Sequence, residues 1–199
     1  MWWVRVSIIV AAFFVGSFGL WRGMREEHKQ EEIINLALGL AGLGIIGWLL
    51  VGAWGILLGW ILAMSWFVKR YEWSWWEWLD SVGESGMSVG LVLAGGWGSV
   101  KLAAVFAGGI LVTWLVKTSY RRIRWYKSGR RGAVGLAAVV CFGLAQMMVA
   151  KSSGRVIYLG GWELAQWAGL WVMIAAVTTL YLRAGHRVTQ DIGGIWRRK

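Results

Sequence analysis

The sequence has no proline, a single cysteine, two histidines and only ten acidic residues against 21 basic ones in 199 positions. Without proline, no helix can carry a proline kink; nothing in the sequence explains the absence itself. One cysteine can build neither a disulfide nor a thiolate metal cluster. Cys141 sits in the apolar stretch 137–144, where it reads as a small buried hydrophobe. His28 and His186 both fall in charged segments, where a histidine is ordinarily solvated. Metal-ligand spacings, a phosphate loop and a Ser/His/Asp arrangement are all missing, so the sequence predicts no metal and no cofactor.

Charge is scarce as well. Only 16% of residues are charged while 58% are hydrophobic, more apolar material than one small soluble core can bury. The net charge of +11 would suit nucleic acid if it were gathered on a soluble face, but it is interspersed between long apolar runs, which excludes that reading. The N-terminus also lacks the order of a secretory signal, in which positive charge precedes the apolar core. Here Arg5 stands nearly alone and Arg22, Arg25 and Lys29 follow the run, so the first helix is expected to stay in the protein.

What is abundant points to a bilayer. Eighteen Trp and 29 Gly suit membrane interfaces and close helix approach, respectively. A membrane span needs about 20 helical residues. The charge-free stretch 33–68 would be roughly 54 Å long as one helix, so it must fold back, and Gly52 and Gly55 beside Trp54 mark the turn. The prediction is an all-α, polytopic membrane bundle of about seven transmembrane helices in one domain, 1–199. The helices are placed near 2–21, 33–52, 55–68, 79–99, 101–116, 132–150 and 162–182. The aromatic cluster Tyr71, Trp73, Trp75, Trp76 and Trp78 reads as an interfacial segment before the fourth helix.

This arrangement puts seventeen Lys and Arg on one side of the membrane. They lie in the segments 22–29, 69–70, 117–131 and 183–199. Arg5, Lys101, Lys151 and Arg155 are left on the other side. Cytoplasmic loops hold the basic excess, so the N-terminus is expected outside and the C-terminus inside. The basic loop 117–131 would attract anionic headgroups, although setting the topology would explain it equally.

Polar groups inside a membrane bundle are costly and therefore candidates for function. The fourth helix carries Glu77, Ser81, Glu84, Ser88, Gly95 and Ser99 on one stripe. That stripe either faces a wet cleft or marks a solvated helix end. Glu163 and Gln166, with Gln146, either converge on the same cavity or glue helices through hydrogen bonds. Gly95, Gly96 and Gly98 permit a close backbone approach to a ligand and equally serve packing. No internal repeat supports a small transporter.

The order of segments resembles the bacterial prolipoprotein diacylglyceryl transferase family over nearly the whole chain. The resemblance rests on Val4-Arg5-Val6-Ser7-Ile8-Ile9 and Glu31-Glu32-Ile33 at the start, the run 52–59, Leu79-Asp80, and Gly95-Gly96-Trp97-Gly98-Ser99-Val100. Phe142-Gly143-Leu144, Leu159-Gly160-Gly161 and Leu164-Ala165-Gln166 carry it through the last third. It implies a seven-helix fold in the bacterial cytoplasmic (inner) membrane and transfer of a diacylglyceryl group from phosphatidylglycerol to the cysteine of a lipoprotein signal peptide, with no cofactor. The partners implied are a phosphatidylglycerol-like membrane lipid and that signal peptide. The positions matching the family's substrate-binding motifs are Trp54, Gly55, Gly95, Gly96, Gly98, Ser99 and Gln146; Glu84, Glu163 and Gln166 are further cavity candidates.

The chain departs from the family at Ser7 for tyrosine, Trp54 for histidine, Gly96 for arginine, Ser99 for asparagine and Gln146 for arginine. Neutral Gly or Gln cannot supply a bidentate, charge-assisted phosphate contact. Two expectations follow: a divergent member of the family, or a noncatalytic lipid-binding or scaffold protein on the same fold.

Overall fold

A computed structural model describes residues 2–51, 53–120, 122, 126, 130–149, 158–159 and 162–185. Among them are seven α-helices: α1 (Trp2–Met24), α2 (Gln30–Val51), α3 (Ala53–Tyr71), α4 (Trp75–Gly96), α5 (Val100–Ser119), α6 (Ala133–Val149) and α7 (Leu164–Arg183). A small departure from an all-helical chain precedes α7. There Tyr158–Leu159 (β1) and Trp162–Glu163 (β2) form a two-stranded antiparallel pair, with Leu159 opposite Trp162. Gly160, Gly161, Lys151, Arg155, His186 and the rest of 186–199 lie outside the described residues.

The helices stop where the sequence changes character. Lys69 and Arg70 stand in the last turn of α3, and Glu72 then takes a left-handed conformation (φ 56°) that turns the chain into α4. Ser74 is extended at the N-cap, and Trp75 already begins the helix. The aromatic cluster is thus not a separate interfacial segment. Trp78 is 1% exposed and stacks on Trp73 with ring centroids 4.2 Å apart. Burying that ring inside the bundle gains more than leaving it at a surface, which draws α4 back by four residues from the expected start at 79.

Between Val51 and Ala53 the chain reverses, and α2 and α3 pack along their whole length. Facing pairs run in opposite directions: Gly39 meets Phe67, Gly44 meets Trp60 and Gly47 meets Gly55. At Gly47 and Gly55 backbone lies against backbone, and a Cβ on either would run into the carbonyl of the other. The same device joins α1 to α4, also antiparallel, with Gly16 against Val89, Gly19 against Ser85 and Gly23 against Ser81.

α4 is the hub, packed on α1 at one side and on α5 and α6 at the other, while α7 leans on α6. The α2–α3 hairpin touches α4 only sparsely. It is pinned at one end by a core that includes Met24, Ile33, Phe67 and Trp78. That end also carries the charged turns after α1, α3 and α5, and is called the charged end below. Large apolar side chains face outward around the bundle, among them Leu62 and Trp66 on α3, Leu111 and Trp114 on α5, and Trp171 and Ile174 on α7. Among the described residues two helices, α1 and α5, are long and apolar enough to cross a membrane.

Candidate functional site

Two cavities flank the hub helix. The first lies at the charged end, has a volume of about 180 Å³ and is walled by α1, the turn after it, α4, α5 and the start of α6. The polar stripe foreseen on the fourth helix supplies part of its wall, because Glu77, Ser81 and Glu84 all line it. Ser88 instead donates to the Glu84 carbonyl at 3.5 Å, and Gly95 faces open space.

Every carboxylate of this cavity has a positive partner. Arg131 forms a two-pronged bond to Glu27, at 3.0 and 2.9 Å, and its Nη1 also reaches Glu77 at 2.5 Å. Glu84 pairs with Lys117 at 2.6 Å. Asp80 accepts from the backbone nitrogens of Gly132 and Gly135, both at 2.7 Å, and so neutralises the positive end of α6. The hydrogen bond from Arg131, helped by that residue's charge and by the neighbouring His28, holds the Glu27 carboxyl below its ordinary pKa. Arg183 donates to the Arg131 carbonyl at 2.6 Å and lies over the Trp76 ring at 3.7 Å. His28 lies against Trp73, with ring centroids 4.4 Å apart and the planes tilted by 51°.

Ligand atoms of Glu27, His28 and Glu77 lie within 4.8 Å of one another, a spacing that can hold a cation. The Arg131 guanidinium already bonds both carboxylates. The chemistry of this end is therefore cohesion: it ties the α1–α2 turn, α4, α5 and α6 together, and its carboxylates are committed to partners rather than poised as bases.

The second cavity is an apolar groove of about 490 Å³ between the α1–α4 pair and the α2–α3 hairpin. It exists because the hairpin is pinned at the charged end and contacts α4 little elsewhere. Leu20, Leu40 and Val82 belong both to the pinning core and to the groove and form its floor. From there the groove runs to Ile9 on α1, Ile45 on α2, Ile56 on α3 and Trp97 beyond α4. Ile9 to Leu20 spans about 16 Å of helix, roughly half the 30 Å hydrocarbon thickness of a bilayer. Two serines are among its lining residues, Ser17 and Ser85. Ser85 Oγ donates to the Ser81 carbonyl at 2.9 Å. Ser17 Oγ is buried and has no hydrogen-bond partner among the described residues.

The residues matched to the family motifs fall elsewhere, in the helix ends and turns at the far end. Gly55 packs on Gly47, and the side chain of Trp54 lies outside the described residues. Gly98 (φ 72°) makes the α4–α5 turn, Gly96 abuts Ile8, and Ser99 caps α5 by position without a side-chain bond. Glu163, 4% exposed, and Gln166 form the capping box of α7, in which Gln166 Oε1 accepts from the Glu163 nitrogen at 3.0 Å. Gln166 Nε2 also reaches the Met147 carbonyl at 3.5 Å, joining α7 to α6 beside a half-buried Gln146. Among the candidates whose side chains are described, Glu84 alone lines either cavity.

Sequence reasoning missed Glu27, Lys117 and Arg131 as partners and Ser17 as a groove residue. A usable signal did exist for Ser17, which with the interfacial Ser7 is one of two hydroxyls in an otherwise apolar first helix. No family model, no curated protein and no solved structure matches this sequence.

Proposed function

We propose that the protein is a multi-pass protein of a bacterial cytoplasmic membrane that holds lipid hydrocarbon in the groove between α1–α4 and the α2–α3 hairpin, without chemistry of its own. The observation that carries this reading is the groove itself, almost wholly apolar and about 490 Å³ in volume. At about 30 Å³ for a group the size of a water molecule, it has room for roughly sixteen methylene-sized units. The outward-facing apolar side chains of α3, α5 and α7 support the membrane setting, since soluble monomers rarely expose such continuous surface. The excess of basic residues at the charged end supports an outside N-terminus and a cytoplasmic C-terminus.

The resemblance to diacylglyceryl transferases supports a lipid ligand more than it supports transfer. The matched motif positions among the described side chains line neither cavity, and the motif arginines are Gly96 and Gln146 in this chain. Loss of such electrostatic partners commonly costs orders of magnitude in rate.

The test is lipid retention after detergent purification, read by native mass spectrometry. The wild-type chain is expected to keep one lipid, and Ala41→Trp, which fills the groove, is expected to lose it while eluting as the same species. Equal retention by both proteins overturns the reading. Transfer of labelled diacylglyceryl from phosphatidylglycerol to a lipobox peptide by the unmodified chain would replace it with the transferase.

A further inference from the structure

The two ends of the apolar groove differ. Towards the charged end its floor, Leu20, Leu40 and Val82, rests on a core with Met24, Ile33 and Trp78, none of them more than 3% exposed, so the bundle is filled there. At the other end the wall reaches Ile9 and Trp97, which are 50% and 60% exposed. Arg5 stands one helical turn beyond Ile9 on the same face of α1. It is exposed and forms no ion pair among the described residues. With α1 (Trp2–Met24) centred in a bilayer, Arg5 lies eight residues, about 12 Å, from the middle. That is inside the hydrocarbon edge at about 15 Å, where an unpaired charge is costly. Helical side chains lean toward the N-terminus, which carries the guanidinium out to the level of the headgroups. Glu163, the one described acidic residue at this end, is buried in the capping box of α7.

Resting on the groove reading above, we infer that the groove takes one chain of a phospholipid from the leaflet opposite the charged end, with the lipid phosphate on Arg5 and the end of the chain on the floor at Leu20, Leu40 and Val82. Depth selects the leaflet. A chain that starts at the hydrocarbon edge beside Trp97 runs down the groove, passes the middle of the bilayer and ends near Leu20, seven residues or about 10 Å beyond the midpoint of α1. A lipid of the other leaflet starts on the far side of the filled layer of Met24, Ile33 and Trp78, and it offers the groove only its last methylenes. Charge selects the headgroup. A guanidinium matches a phosphate in shape and sign, and an exposed Trp suits the same interfacial level. A diacylglycerol with the same chains fills the groove equally but leaves Arg5 unpaired.

The experiment photolabels the full-length protein in detergent micelles with two phosphatidylethanolamines, one carrying a diazirine at a chain terminus and the other close to the glycerol, and maps the crosslinks by peptide mass spectrometry. The terminal probe is expected to label the protein around Leu20 and Leu40, and the glycerol-side probe around Ile9 and Trp97. Unlabelled phosphatidylethanolamine should compete about five- to tenfold better than diacylglycerol, between the worth of an exposed ion pair and that of a hydrogen bond to a charged group. Arg5→Gln should remove that preference while diacylglycerol competes as before, and Arg5→Lys should keep most of it. Crosslinks in the reverse order, equal competition by the two lipids, or a preference that survives Arg5→Gln overturns the inference while leaving the groove reading standing. Failure of both probes to label the groove overturns both.

Discussion

The carboxylate of Asp80 on α4 sits on the first turn of α6, with one oxygen 2.7 Å from the backbone nitrogen of Gly135 and the other 2.7 Å from that of Gly132. A side chain from the hub helix thus does the work that a residue preceding α6 would otherwise do. The approach depends on glycine, because a Cβ at Gly135 would strike the Leu79 carbonyl. Gly132 stands at φ 108°, a conformation side chains other than glycine rarely adopt.

Asp80→Ala should therefore cost about 2–3 kcal/mol, in the range of charged caps and hydrogen bonds to ionised groups. Asp80→Asn, which keeps an acceptor oxygen and loses the charge, should cost less. Unfolding of the purified protein in detergent, followed by tryptophan fluorescence, measures both. Stability within 0.5 kcal/mol of wild type for Asp80→Ala would mean that the α4–α6 joint is held by packing alone.

The Glu27–Arg131 pair should give stability a pH dependence on the acid side. Glu27 is held below its ordinary pKa by Arg131. Its contribution is complete above the unfolded carboxylate pKa, about 4.3, and is lost as pH falls through the lower folded value. Both side chains are about half exposed, 43% for Arg131 and 51% for Glu27, so the effect is small, under about 1 kcal/mol, and screened by salt. Comparing midpoints of wild type and Arg131→Met between pH 6 and pH 3 tests it. The two should converge as pH falls, and a constant gap would show that Arg131 acts through packing.

Much of the fold is legible in the sequence because its apolar runs are bounded by charge. The charge-free stretch 33–68 has to reverse, and it does so close to the expected place, although α3 already begins at Ala53 and Gly55, expected in the turn, packs inside that helix against Gly47. The start of α4 is not legible, since a cluster of Trp looks the same whether it floats at an interface or, like Trp78, is driven under Trp73. The polar end is illegible for a different reason. Its bonds join residues 104 positions apart, Glu27 to Arg131, and 55 apart, Asp80 to Gly135, and local spacing says nothing about such pairs. The matched glycines illustrate a third difficulty: Gly55, Gly96 and Gly98 stand in turns and close helix contacts, and a glycine motif reads the same in sequence whether it serves packing or a ligand.

Glycine's role in the α2–α3 hairpin can be separated from its helix propensity. Gly47→Ala or Gly55→Ala puts a Cβ against facing backbone, which no rotamer can relieve, and should cost about 1–3 kcal/mol as overpacking does. Gly42, on the same helix, has open space where its Cβ would stand. Gly42→Ala should be neutral or stabilising by up to about 1 kcal/mol, the helix propensity difference between the two residues. A destabilised Gly42→Ala, measured in the same unfolding assay, would mean that this face of α2 is packed against something in the native state.

The two ends of the bundle should lie on opposite sides of the membrane. Insertion places short basic loops in the cytoplasm, and the turns after α1, α3 and α5 hold Arg25, Lys29, Lys69, Arg70 and Lys117 at one end, whereas the α4–α5 turn holds only Lys101 among its flanking cations. Cys141, half-buried on α6, is first replaced by alanine so that a new thiol reports alone. Single cysteines then go to Ser74 in the α3–α4 turn and to Ser99 in the α4–α5 turn, both in segments that join helices rather than in their interiors. A membrane-impermeant maleimide should label Ser99→Cys on intact cells and Ser74→Cys only after lysis. The reverse pattern would invert the orientation, and labelling of both on intact cells would mean that α4 does not cross the bilayer, because a crossing helix must leave its two ends on opposite sides.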